Sequence, residues 1–271
     1  MAVSARRTLD VYAAIDRVKD RAPQYITNLF ATPEQIQDWM EQDVVTYADH
    51  GRCLLLFRRD RDFQHLFHVA SSLDALDVGL ASLNLRTNRG PFAVDLVGQP
   101  EQIAPIGAIY REHGFESYTT LVRMSLLVES STVSCQPDPE VEFARPADVP
   151  QVEAFLDRLL DRFVDQIPSA HQLLALAEQS SVLMVRCSGE IGGVLVSENT
   201  RVTSILRYWY VDSRFRDRGV GGKLLRTFLH LSAARKRILL WVVAENHDAI
   251  AKYQHYGFVT ESLTDQILLR R

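Results

Sequence analysis

Cysteine is scarce in this chain, and its three copies, Cys53, Cys135 and Cys187, lie far apart. That spacing makes neither a disulfide framework nor a zinc site, so no metal is expected. Cys53 and Cys187 stand in apolar, strand-like runs, where a free thiol is expected in the core. A surplus of charge of one sign is also missing. With a formal net charge of -4 there is no basic field to hold nucleic acid or anionic lipid, and neither is expected as a partner. Long apolar runs are absent near the start, where Asp10, Asp16 and Asp20 interrupt any stretch that could serve as a signal-peptide core or a membrane span. A cytoplasmic protein is the expectation. No Gly-x-Ser-x-Gly elbow, His-Glu-x-x-His or Cys-x-x-Cys occurs, so hydrolase and zinc chemistry lack motif support. The hydrophobic fraction of 46% and charged fraction of 24% are those of an ordinary soluble chain, and 271 residues suffice for two domains.

The segment with most to say is Arg216, Asp217, Arg218, Gly219, Val220, Gly221, Gly222 and Lys223, which follows a strand-like run at 204–211 and opens a helix-like run at 223–236. A strand that turns straight into a helix leaves the first helical N-H groups without partners and sets the positive end of the helix dipole at the turn. Glycines let the backbone turn tightly and let a pyrophosphate approach the amides, while Arg216 and Lys223 add charge at the rim. The segment reads as an anion cradle. Downstream, a buried-looking strand at 238–244 leads to Asn246, Ala249, Tyr253, Gly257 and Phe258.

In this order the two elements resemble the GNAT superfamily of acyl-coenzyme A dependent N-acyltransferases, over residues 140–271. The resemblance implies acetyl-CoA or another acyl-CoA as cosubstrate, its phosphates held by Arg216, Arg218, Gly219, Val220, Gly221, Gly222 and Lys223. It implies that the strand ending at Val211 splays from its neighbour and frees the backbone of Trp209, Tyr210 and Val211 for the pantetheine arm and the thioester carbonyl. Tyr253 matches the residue that gives a proton or hydrogen bond to the departing sulfur. Asn246 is in place to touch the pantetheine arm, although it is equally a good helix N-cap. The chain departs from the pattern at Asp217, where a Gly is common, and at Ser213, where a Pro often sits. Asp217 would set a carboxylate near anionic phosphates.

The general base stays open. An alkylamine with a pKa of about 10.4 is neutral to only about one part in a thousand at pH 7, so some group must take its proton. Certain members carry a Glu in the strand before the Asn; here that residue is Trp241, and Glu198, Glu245, His247 and Tyr208 remain as candidates. The acceptor implied is a primary amine of a small molecule or a peptide, and the expected activity is N-acetyl transfer. A coenzyme A binding module without turnover is the alternative that Trp241 leaves standing.

The first half repeats the order of elements. A linker is expected at 130–140, dividing a domain at 1–130 from one at 140–271. Tyr110, Gly114 and Phe115 match Tyr253, Gly257 and Phe258 at one constant offset, yet residues 71–79 hold acidic side chains and a single Gly where the cradle would fall. The expectation is an α/β fold of two GNAT-like domains in tandem, each a mixed sheet flanked by helices, the first a degenerate copy that lacks the cradle. Such a chain would be a monomer with pseudo-dimeric halves or a homodimer, the first half closing one side of the acceptor site.

Overall fold

The helices start where short-range chemistry directs them. Thr32 accepts a hydrogen bond from the Gln35 N-H while the Gln35 side chain accepts from the Thr32 N-H, a reciprocal capping box, with Pro33 at the first helical position. In this computed structural model, residues 3–4, 8–20, 22, 24–83, 90–128 and 136–271 are described; Cys135 and residues 130–135 of the expected linker lie outside them. The chain divides into two compact units, Met1–Leu121 with Ser262–Arg271, and Val122–Glu261.

Unit 1 runs β1 (Val3–Ser4), α1 (Thr8–Asp20), β2 (Ile26–Thr27), α2 (Pro33–Glu41), β3 (Val45–Asp49), β4 (Cys53–Asp60), β5 (Phe63–Ala70), α3 (Leu73–Ser82), β6 (Phe92–Gly98), α4 (Pro100–Glu112) and the start of β7 (Glu116–Leu127). Unit 2 takes the rest of β7, then β8 (Val141–Phe143), α5 (Val149–Leu159), α6 (Ala170–Glu178), β9 (Val182–Cys187), β10 (Glu190–Asn199), β11 (Thr203–Val211), α7 (Val220–Leu231), β12 (Arg237–Val243), α8 (His247–His255) and the start of β13 (Val259–Arg270). Strand order is β1-β3-β4-β5-β6-β13 in unit 1 and β7-β12-β11-β10-β9-β8 in unit 2. Both are mixed sheets, since β5 and β6, like β11 and β12, run parallel among antiparallel neighbours.

Period-two alternation sends side chains to both faces, and both faces are covered by helices. In unit 1, Leu55, Phe57 and Phe92 pack with Leu76, Leu80 and Tyr110 of α3 and α4, while Leu54, Leu56 and Val69 pack with Val11, Ala14, Val18 and Ile36 of α1 and α2. In unit 2, Leu183, Val185, Leu195 and Leu240 meet α7 and α8, while Val182, Met184, Val194 and Tyr208 meet α5 and α6. Each buried aliphatic side chain contributes about 1.5–3 kcal/mol.

Helix α5 stops at Leu159, because the Asp161 carboxylate accepts from the Phe163 N-H and the Asp165 carboxylate from the Asp161 N-H, a local alternative to the helical ladder. Two local expectations are corrected. Helix α7 opens at Val220 and so takes Gly221 and Gly222 into its first turn. Cys53 is buried and its thiol is pushed up to about 12 by burial and by Asp49, but Cys187 is only half-buried. Among the described residues no helix is long and apolar enough to cross a membrane, and no group of three or more His, Cys, Asp or Glu is placed to hold a metal ion.

Candidate active site

Strands β11 and β12 pair only from Thr203–Arg237 to Leu206–Leu240, although β11 continues to Val211 and β12 to Val243. The cause is local. The register between β10 and β11 slips between Val196 and Ser197, so that Arg207 is an extra residue on β11, and a bulge of this kind bends and twists its strand. Beyond it, residues 207–211 stay bonded to β10 on one side and part from β12 on the other. An opening with unpaired backbone groups on its β11 edge is the result, at Trp209, Tyr210 and Val211.

At the end of that edge the chain enters the cradle. Asp212 is buried and locks the exit: its carboxylate accepts from the Arg214 N-H, Nε and Nη2 at 3.0, 3.2 and 2.9 Å and from Arg158 Nη2 at 2.7 Å. Those bonds hold its pKa well below the usual carboxylate range, Arg214 first. After a single 3-10 turn, Ser213–Phe215, the backbone at Asp217 and Gly219 is left-handed, with φ of 63° and 73°. Left-handed residues alternating with right-handed ones turn successive N-H groups toward one concavity, an anion-binding shape. Gly219 is the N-cap of α7 and has no side chain to cap it, so the first N-H groups, at Val220, Gly221 and Gly222, have no capping side chain.

The glycines divide their labour differently from the expectation. Only Gly219 needs a positive φ; Gly221 is helical, and a Cβ there would meet Trp209 Cζ2 at 3.2 Å and Val211 Cγ2 at 3.3 Å, so it is small because the helix sits down on β11. Trp209 Nε1 donates to the Gly221 carbonyl at 3.2 Å across that contact. Gly222 faces the flexible end of Arg226 and, at 3.8 Å, the Tyr256 hydroxyl. Arg216 and Arg218 are exposed and make no ion pair among the described residues, Arg218 lying over the Phe215 ring. Lys223 differs: its ammonium is drawn into an ion pair with Glu140, whose bond raises its pKa.

Across the opening, Tyr253 on α8 is 6% exposed and packs against Trp209 and Phe258, with ring centroids 5.3 and 5.7 Å away. Its hydroxyl has no hydrogen-bond partner among the described residues, and burial, then Tyr210, pushes its pKa well up. Asn246 caps α8, Oδ1 accepting from the Ala249 N-H at 3.2 Å. Of the candidate bases, Tyr208 donates its hydroxyl to the Asp165 and Gln166 carbonyls at 2.7 and 2.9 Å, and Glu198 pairs with Arg207 at 3.5 Å. Glu245 and His247 lie exposed at the start of α8, and Trp241 sits under the Arg123 guanidinium.

Residues 148–258 match the acetyltransferase (GNAT) family. The chain carries a GNAT acetyltransferase domain. Over the full length its fold is similar to a GCN5-related N-acetyltransferase from Sphaerobacter thermophilus, with a TM-score of 0.65, 13% identity, and 100% of this chain and 95% of that one covered. It is also similar to a tandem GNAT protein from the clavulanic acid biosynthesis pathway, with a TM-score of 0.61, 11% identity, and 99% and 97% covered. At these identities the likeness is one of fold, and it takes in both units. No curated protein matches the chain in sequence.

Seen beside the GNAT domain, unit 1 repeats the splay and fills it. Strands β5 and β6 pair only at Gln64–Phe92 and His65–Ala93 before parting. Into the gap comes the segment between α1 and α2: β2 pairs with Val69 and Ala70, and Asn28 Nδ2 donates to both the Leu66 and Asp95 carbonyls, at 3.2 and 3.1 Å, while its Oδ1 accepts from the His68 N-H. Tyr110 repeats the edge contact to Phe115 seen between Tyr253 and Phe258, but it is wholly buried and its hydroxyl meets His68 Nδ1 at 3.0 Å. The N-terminus of α3 is capped by its own Ser72.

Sequence reasoning missed Asp212, the Gly192-Gly193 pair and Asp165. A Cβ on Gly193 would stand 2.7 Å from Val220 Cγ1, so the first turn of α7 rests on that strand. Two glycines inside a strand signal such a close approach. Asp165 gave no signal, because its place depends on where the segment between α5 and α6 comes to rest.

Proposed function

We propose that unit 2 is an acyl-CoA dependent N-acetyltransferase acting on a primary amine, and that unit 1 binds no coenzyme A. The observation that carries this is the opening between β11 and β12 that ends at the uncapped N-terminus of α7. Arg216, Arg218 and the amides of Val220, Gly221 and Gly222 would hold the pyrophosphate, with the helix dipole adding to their charge. Backbone groups of Trp209, Tyr210 and Val211 would hold the pantetheine arm and the thioester carbonyl, a preorganised donor being worth most where water is excluded. The donor thioester supplies the activated acyl group. Tyr253, its hydroxyl without a partner among the described residues, would give a hydrogen bond or proton to the departing sulfur. Asn246 spends its Oδ1 on the helix cap, which leaves its amide nitrogen for the arm. Lys223 contributes less than its position in the motif suggests, since Glu140 holds it. In unit 1 the corresponding groups are satisfied within the chain, by Asn28, His68 and Ser72.

The test is thermal stability with acetyl-CoA, longer acyl-CoA thioesters and free coenzyme A, followed by turnover of Tyr253→Phe. Ligand at about 100 times its Kd adds about 2.7 kcal/mol, a shift of several degrees. Tyr253→Phe should keep that shift and lose about 100-fold in kcat. No shift with any thioester sinks the reading; a shift with no turnover of any amine leaves a binding module.

A further inference from the structure

We propose that Asp165 takes the proton from the acceptor's ammonium group, and that the acceptor is a cationic amine received by Asp165 beside the β11 tyrosines; this rests on the transferase reading above. The segment between α5 and α6 occupies the same place in chain order as the segment that enters the splay of unit 1, but here it is held out of it. Tyr208 does this. Its hydroxyl donates to the carbonyls of both Asp165 and Gln166, two residues beyond Leu206, where β11 leaves β12. Gln166 is left-handed at φ 43°, a conformation that costs a non-glycine residue about 1 kcal/mol or more and survives only where its surroundings hold it. The segment is therefore fixed beside the opening.

One oxygen of Asp165, Oδ2, accepts from the Asp161 N-H at 2.8 Å, and the Asp165 and Val164 N-H groups donate back to the Asp161 carbonyl. No donor among the described residues bonds Oδ1. The charged and titratable groups that face Asp165 are Asp161 on the same segment and Arg207, Tyr208 and Tyr210 on β11, with Glu198 of β10 behind Arg207 at 3.5 Å. Asp165 sets a carboxylate at this end of the free β11 edge, while Arg216 and Arg218 make the other end positive. An ammonium suits the first end and phosphates the second. Tyr210 feels both sides: burial, then Asp165 and Asp161, raise its pKa, and Tyr210 in turn raises that of Tyr253.

Burial pushes the Asp165 carboxyl up to about 6, the Asp161 charge adding and the Asp161 N-H bond and Arg207 opposing. Such a group is ionised at pH 7 and a stronger base than an ordinary carboxylate. The ammonium loses one proton to Asp165. Its nitrogen, now neutral, attacks the thioester carbon, the C-N bond forms, and the C-S bond breaks with its electron pair going to sulfur. The second nitrogen proton ends on sulfur by way of Tyr253, and Asp165 returns its own to water.

Thiol release from acetyl-CoA would be followed against pH with 1,4-diaminobutane, spermidine, tyramine and a peptide N-terminus as acceptors. Wild type should show an acid limb near pH 6. Asp165→Asn, which keeps an acceptor for the Asp161 N-H, should lose about 100-fold or more in kcat/KM and lose that limb, with the acetyl-CoA shift in Tm unchanged and activity partly rescued by Asp165→Glu. A variant within a few-fold of wild type, or a slow one that keeps the limb, overturns the proposal. Should wild type acetylate none of these amines while acetyl-CoA still raises its Tm, the transferase reading falls. The amine site is then judged by stabilisation of the coenzyme A complex: amines that stabilise wild type but not Asp165→Asn support it, and equal or absent stabilisation overturns it.

Discussion

Asp217 is the residue at which sequence and geometry disagree most usefully. Its φ of 63° is the conformation a glycine adopts without strain and that Asp tolerates better than most residues, and it lies in the turn that leads into the amides that would take phosphate. Asp217→Asn removes the charge and keeps the tolerance; Asp217→Gly removes both charge and strain. At about 1 kcal/mol for a charge pair in water, Asn should tighten acetyl-CoA binding about fivefold, less at high salt, and Gly should add a modest gain in Tm. Calorimetric titration of both variants separates the effects, and unchanged affinity in Asp217→Asn would place the phosphates elsewhere. The sequence made the turn into α7, the place of Tyr253 on α8 and the Asn246 cap legible, because each depends on neighbours within a few positions. Which glycine serves which purpose was not legible. Gly221 answers to Trp209, a residue on another element, and nothing in the local spacing records that contact.

At the scale of elements, the two units use one connection in two ways. The segment after α1 enters the sheet and Asn28 bridges both parted strands, whereas the segment after α5 is held at the margin by Tyr208. Asn28→Ala should therefore leave the Leu66 and Asp95 carbonyls and the His68 N-H without that partner, costing about 3 kcal/mol or more, while the acetyl-CoA shift in unit 2 persists. Tyr110→Phe should cost about 1–3 kcal/mol through its bond to His68, with kcat untouched, the reverse of the pattern set out for Tyr253→Phe. Two-transition melts with and without acetyl-CoA check both; loss of the ligand shift in Asn28→Ala would contradict the division of roles. Strand and helix order was readable from periodicity in both halves. The filling of the unit 1 splay was not, since β2 spans two residues and Asn28 looks like any loop asparagine until its partners are known.

At the scale of the molecule, acid should act on the two units with opposite sign. In unit 1 burial, then Asp95, raises the Asp265 carboxyl well above its ordinary value. The folded form keeps a proton that the unfolded chain gives up near pH 4, so this group weakens unit 1 as pH rises from about 4. In unit 2 Asp212 is depressed by Arg214 and Arg158, so its stabilisation is present above about pH 4 and fades as pH falls below that. Asp265→Asn should melt above wild type at pH 8 and Asp212→Asn below it, both differences closing by about pH 4 or lower. Melts across pH 3–9 test this, and a difference of the other sign in either variant refutes the assignment.

Unit 1 is also discontinuous, completed by residues 262–271, which pair along β6 and bury Ile267 and Leu268. On the ribosome, where earlier domains ordinarily mature first, that order is reversed: every residue of unit 2 is synthesised before the strand that closes unit 1 leaves the exit tunnel. The nascent chain must carry an unfinished sheet edge at β6 throughout, and the unit translated first is the one that depends on residues 262–271.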